Sequence, residues 1–134
     1  MIHESIFTAI YDRYLESPLP AFVEGFYFGE VPQDVEGTYA LFAQVDGRQD
    51  YDMSSRLEDK LMQISIFTGP TEAAEGPTEC VRVAEIFMLW FDDCELEIAG
   101  GTLIRIDRES DNLVPDPDGG WMYQIDYRIL AQED

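Results

Sequence analysis

Residues 121–130 read Trp-Met-Tyr-Gln-Ile-Asp-Tyr-Arg-Ile-Leu. Trp121, Tyr123, Ile125, Tyr127 and Ile129 fall on one face, and Gln124, Asp126 and Arg128 on the other. A period of two with apolar and polar faces this cleanly separated is the pattern of an antiparallel strand with one packed and one wetted side. Such a strand needs neighbours to pair with and a layer over its apolar face, so the fold depends on what the rest of the chain supplies.

Further strands are expected at Phe26 to Val31, ended by Pro32, at Thr38 to Val45, closed by Asp46-Gly47, and at Leu61 to Thr68. In the last of these Met62, Ile64 and Ile66 alternate with Gln63 and Ser65. Glu95 to Ile98 and Thr102 to Arg108 also read as strands. Two stretches have helical spacing. In His3 to Leu15, Ile2, Ile6, Ile10 and Tyr14 recur every fourth residue, with Phe7, Tyr11 and Leu15 on an adjoining stripe, and Ser17-Pro18-Leu19-Pro20 stops the run. The main helix has Pro77 in its first turn and an apolar stripe of Cys80, Ala84, Phe87 and Phe91 flanked by Val83 and Trp90. Asp92 and Asp93 at its negative end predict early fraying.

The order is α-β-β-β-α-β-β-β. Helices do not alternate with single strands, which argues against a doubly wound parallel sheet and for an α+β domain, two helices packed on a mostly antiparallel sheet. The whole chain, 1–134, reads as one such domain, and its layout leaves sheet edges and one sheet face uncovered. Two connectors are long and acidic. Arg48 to Lys60 has no convincing period and reads as a long loop or an extended hairpin arm. Glu109 to Gly120 contains Pro115-Asp116-Pro117-Asp118-Gly119-Gly120 and reads as a turn-rich link.

Composition narrows the function. There are 28 Asp and Glu against 8 Lys and Arg, a formal net charge of −20, yet 46% of the residues are hydrophobic, so the chain folds rather than staying disordered. Affinity for nucleic acid comes mainly from neutralising phosphates with a basic face, which these cations cannot form. Cys80 and Cys94, placed on one helix, would stand about 21 Å apart, too far for a disulfide, so free thiols are expected. The N-terminus has no basic region followed by an apolar run, and no stretch is apolar enough for a membrane span, so synthesis in the cytoplasm is expected.

Motifs for chemistry fail on inspection. Asp116-Pro117-Asp118-Gly119 resembles the start of a calcium loop, but its twelfth position, where a bidentate Glu belongs, is Tyr127. The single histidine, His3, is near a terminus, no Ser or Cys sits in a nucleophile elbow, and the Gly-Gly pairs precede strands rather than helices. No catalytic residue, cofactor or metal site is expected, and the reading is that of a non-enzyme.

The order of elements carries a resemblance. An N-terminal helix ending in Pro is followed by Phe26-Tyr27-Phe28-Gly29-Glu30-Val31-Pro32, then Tyr39-Ala40-Leu41-Phe42 and Gln63-Ile64-Ser65-Ile66-Phe67. A helix to Phe91-Asp92 and a Trp121-containing strand ending in Tyr127-Arg128-Ile129 complete it. Over nearly its full length the chain resembles the tail terminator proteins (tail completion or head-tail joining proteins) of long-tailed bacteriophages. The resemblance implies a virion protein at the tail-head junction. It implies a homo-oligomer, a hexameric ring that caps the tail tube, ends its polymerisation and docks to the head-side connector or stopper. Its partners would be the tail tube protein, the head-completion protein and DNA as transient cargo, with no membrane. The family has no catalytic residues to carry over.

Within such a ring, carboxylates lining the lumen would repel phosphates and keep DNA from sticking during ejection. The connectors supply the expected lumen-facing acids: Asp46, Asp50, Asp52, Glu58 and Asp59 from the first, and Glu109, Asp111, Asp116 and Asp118 from the second. Arg48, Arg56, Lys60, Arg105 and Arg128 are the candidates for contacts with neighbouring subunits or partners, or for charge balance within one subunit. The alternative reading is a small acidic regulatory protein, or a DNA mimic that inhibits a nucleic-acid enzyme. A mimic should array its carboxylates over one face, whereas here they gather in connectors.

Overall fold

A computed structural model describes residues 2–32, 37–51, 56–69, 76–117 and 119–134. Helix α1 is His3–Glu16, followed by a 3-10 turn at Leu19–Ala21, strands β1 (Phe26–Phe28), β2 (Tyr39–Tyr51) and β3 (Arg56–Thr68), helix α2 (Gly76–Phe91), and strands β4 (Gly101–Pro115) and β5 (Trp121–Glu133). The strands form one sheet in the order β1-β2-β3-β5-β4. Every neighbouring pair is antiparallel except β1 and β2, which run parallel. This is the expected α+β class, with the decisive strand of residues 121–130 paired on both sides at the heart of the sheet.

Both helices pack on one face. Ile2, Ile6, Ile10 and Tyr14 of α1 and Cys80, Val83, Ala84, Phe87 and Phe91 of α2 join Met62, Ile64 and Ile66 of β3 and Ile125, Tyr127 and Ile129 of β5 in a single buried cluster. Burying each large apolar side chain contributes about 1.5–3 kcal/mol, which makes this cluster the main source of stability. The second stripe of α1 behaves differently: Phe7 is half-buried, and Tyr11 and Leu15 are exposed. Ser17 ends α1 by donating its hydroxyl to the Tyr14 carbonyl at 2.6 Å and accepting the Leu19 N–H at 3.1 Å, so the chain turns where Pro18 forbids more helix.

Several boundaries differ from the sequence reading. Asp46-Gly47 does not close β2. The strand steps over a bulge between Gln44 and Asp46 and continues to Tyr51, paired with residues 56–61. A turn-forming dipeptide is overridden here by a partner strand that can hold it. Of the two readings of 48–60, the extended hairpin arm is therefore the one realised. Likewise β4 runs to Pro115 rather than stopping at Arg108, so residues 109–115 are strand, with a second bulge between Arg108 and Ser110.

Glu95 to Ile98 is not a sixth strand. Leu96 and Ile98 are buried, yet the segment has no ladder and only links α2 to β4. Two alternating apolar residues look the same in sequence whether they pair or merely anchor a connector.

The end of α2 is held rather than frayed. Tyr127, buried on β5, donates its hydroxyl to Asp92 at 2.7 Å, and Arg108 of β4 approaches the same carboxylate at 3.4 Å. The charge that opposes the helix dipole is thus compensated from two strands. Asp93 then takes a positive φ of 51° and turns the chain away. Cys94 lies beyond the helix, and both cysteines are free.

Candidate functional site

The face of the sheet opposite the helices is covered by no described element. It carries the even-numbered residues of β5 and the odd-numbered residues of β3, and register adds Asp46 of β2, opposite Leu61, and Asp107 of β4, opposite Arg128. Three polar clusters span it. Gln63 donates its amide to Asp126 at 3.0 Å, and Ser110 donates its hydroxyl to the other oxygen of that carboxylate at 2.9 Å. Arg128 bridges Asp59 at 2.9 Å and Glu109 at 3.2 Å, and Arg105 pairs with Asp107 at 3.1 Å. Among the described side chains, five carboxylates (Asp46, Asp59, Asp107, Glu109, Asp126) therefore share this face with two guanidiniums, both already engaged within the subunit. The twin bonds to Asp59 and Glu109 hold the Arg128 guanidinium above its ordinary pKa. Towards one end the face becomes apolar, with Tyr39 stacked on Phe67 at 5.0 Å between ring centres.

Of the acids expected from the connectors, Asp46, Asp59 and Glu109 lie on this open face. Glu58 does not: alternation along β3 turns it to the helix side, where it is buried with His3 and Arg56 each 3.5 Å away. Asp111 also faces the helix side, accepting the Tyr123 hydroxyl at 2.6 Å and approaching Arg108 at 3.5 Å. Asp116 sits in the β4–β5 turn. Asp52 and Asp118 lie outside the described residues, as do the side chains of Asp50 and Arg48. Asp107 belongs on the open face and escaped the sequence reading, because the strand register that sets it opposite Arg128 cannot be read from composition.

The expected contact cations are mostly committed internally. Arg56 pairs with Glu58 and Glu133, Arg105 with Asp107, and Arg128 with Asp59 and Glu109. Lys60 is buried on the helix side of β3 and donates to Gln44 at 3.1 Å, and burial lowers its pKa. Among the described residues no group of three or more His, Cys, Asp or Glu is placed to hold a metal, and no helix is long and apolar enough to cross a membrane.

Buried and half-buried thiol and phenol groups on the helix side give a pH dependence. Burial pushes the Cys80 thiol from about 9 to about 11, burial together with the Asp92 bond raises Tyr127, and the Asp111 bond lifts Tyr123 to about 12. Each is raised in the fold, so each contributes stability that is complete below its unfolded value and lost as pH climbs through its folded one. Lys60, shifted down, acts in the opposite sense and is outnumbered. Thermal unfolding scans should show Tm steady to about pH 9 and falling steeply by pH 11; a flat profile to pH 11 would contradict the assignment.

The family model described as tail completion protein gp17 matches residues 8–132, from the second turn of α1 almost to the end of β5. The chain belongs to that family. It is thus a tail completion protein, a structural component of a phage-like particle. Seventeen chains of solved structures match this fold. One, from the virion of a native gene transfer agent (GTA) particle, has a TM-score of 0.80 at 19% identity, over 98% of this chain and 96% of that chain. No curated protein matches the sequence.

Proposed function

We propose that this tail completion protein acts as a hexameric ring that caps the tail tube, stops its polymerisation and joins it to the head-side connector, with the open sheet face turned to the passage through which DNA travels. The observation that carries the reading is the uncovered face itself. Among the described side chains it has five carboxylates and two cations, both neutralised in place, on a sheet scaffold that holds the charges still. DNA phosphates meeting such a wall are repelled, so the duplex moves through without binding. The alternative, a mimic that occupies the basic groove of an enzyme, is disfavoured because the acids on this face are interleaved with Arg105, Arg128 and Gln63 rather than arrayed alone.

Six copies bring together about −120 formal charges, six times −20, within a few Debye lengths of ~8 Å at physiological salt. Repulsion then opposes assembly. Native mass measurement of the purified protein should find a six-fold species whose share grows with added salt or magnesium. A monomer under all conditions, or a ring that dissociates as salt rises, would overturn the reading.

A further inference from the structure

At the sheet edge, β1 and the outer side of α1 enclose a groove of about 670 Å³. Its floor and walls are apolar. Phe7 and Phe28 meet at a tilt with 4.5 Å between ring centres, Phe28 and Phe42 likewise at 5.1 Å, Tyr11 lies parallel to Phe26 at 6.5 Å, and Val31 and Pro32 complete the lining. Phe28 is 52% exposed and Tyr11 41%, even though each ring touches aromatic neighbours on one side. An aromatic cluster left this open on a folded subunit marks a contact surface.

The rim decides what fits. Glu4 and Glu30 border the groove, and among the described residues no Lys or Arg lines it. A second copy has little to offer such a rim. Its net charge is −20, and Arg56, Lys60, Arg105, Arg108 and Arg128 are bonded within their own subunit. Arg13 donates to the Trp90 carbonyl and lies over the Trp90 ring; Arg82 is exposed on α2, and the side chain of Arg48 lies outside the described residues. With 28 acids against 8 cations on each copy, and most of the described cations already bonded, pairing the groove with another copy would set mostly acid against its acidic rim. The backbone also limits the mode of binding: β1 is three residues long, Gly29 turns it aside with φ 78°, and the Phe28 carbonyl is taken by the Glu30 N–H at 2.9 Å. The occupant is therefore held by side chains in the groove rather than added as a further strand.

We propose that the α1/β1 groove docks an apolar segment flanked by Lys or Arg from a different protein of the particle. The inference rests on the chain working inside an assembled particle, as its family does, and does not require the ring. The test is p-benzoylphenylalanine placed at position 28, or at position 31 if the first variant fails to incorporate, photolysed in assembled particles and mapped by mass spectrometry. The expected product joins this position to another protein, at apolar residues next to Lys or Arg. A cross-link into a second copy, or none from an incorporated variant, overturns the proposal. Two further readouts separate it from the ring reading. Glu4→Lys with Glu30→Lys should cut recovery in particles roughly 3- to 10-fold with Tm unchanged, and unchanged recovery counts against the groove. Phe28→Glu should leave the native ring mass of the purified protein intact. If it abolishes a ring that wild type forms, the groove is a contact between copies and this proposal fails while the ring stands; if wild type forms no ring, that reading fails and the cross-link still decides this one.

Discussion

Phe87→Ala is expected to lower the unfolding free energy by about 3–5 kcal/mol, the range for removing a large aromatic from a packed core. Phe87 is fully buried in α2 and stands in the middle of a relay of rings that crosses the molecule. It contacts Phe26 of β1 at 5.5 Å and Phe91 at 6.1 Å. Phe26 in turn meets Phe42 at 4.5 Å, and Phe91 meets Tyr127 of β5 at 6.3 Å. Truncation removes contacts to a sheet edge and a helix together, and both neighbours are fixed by other contacts, so the cavity cannot close. Denaturant titration should show the loss with little change in slope, and Tm should fall by roughly 10–20 °C. Leu89→Ala, on the same helix but at a side chain 78% exposed, should stay within about 0.5 kcal/mol of wild type. A loss below about 1 kcal/mol at Phe87 would mean that α2 does not depend on this relay.

The second large effect is expected at Gly120. This residue has φ 84°, and a Cβ there would fall 2.0 Å from the Thr68 carbonyl oxygen and 2.9 Å from the Gly69 carbonyl carbon. These are backbone atoms and cannot swing aside. The turn they crowd sets the register of β4 on β5: the Asp116 N–H donates to the Gly120 carbonyl at 3.1 Å, the Gly119 N–H donates to the Asp116 carbonyl at 2.9 Å, and Pro115 stands opposite Trp121. Gly120→Ala therefore combines a left-handed backbone that disfavours a side chain with a steric overlap, for a cost of about 3 kcal/mol or more. Gly29→Ala is the matched control, with φ 78° and open space around its Cβ, and should lose only the backbone contribution of about 1–2 kcal/mol. Equal losses at the two positions would show that the Thr68 contact is not decisive.

How far the sequence reached can be seen residue by residue. Ile2, Ile6, Ile10 and Tyr14, and Cys80, Val83, Ala84, Phe87 and Phe91, were legible as buried stripes because helical period alone places them. The face of β5 was legible from the period of two that places alternate residues of a strand on one side. Glu58 was misplaced because a polar residue on the apolar face of a strand is visible only once alternation is counted back from Met62 through Lys60. Its tolerance there depends on His3 and Arg56, which arrive from elsewhere in the chain. The strand halves 46–51, 56–60 and 109–115 were hidden by charge and turn-forming residues, since pairing is a property of two segments together and neither carries it alone. Asp59, Glu109 and Asp126 were within reach as solvated acids. That they meet Arg128, Ser110 and Gln63 on one surface is a consequence of sheet order, in which β5 lies between β3 and β4.

The central claim is that the open sheet face looks onto the DNA passage. Electron microscopy of the assembled particle at the end of its tail tube tests it most directly. The predicted result is a six-fold ring in which Asp59, Asp107, Glu109 and Asp126 face the axis while α1 and α2 form the outer wall. A ring whose channel is lined by the helices, with those carboxylates on its outer surface, would contradict it.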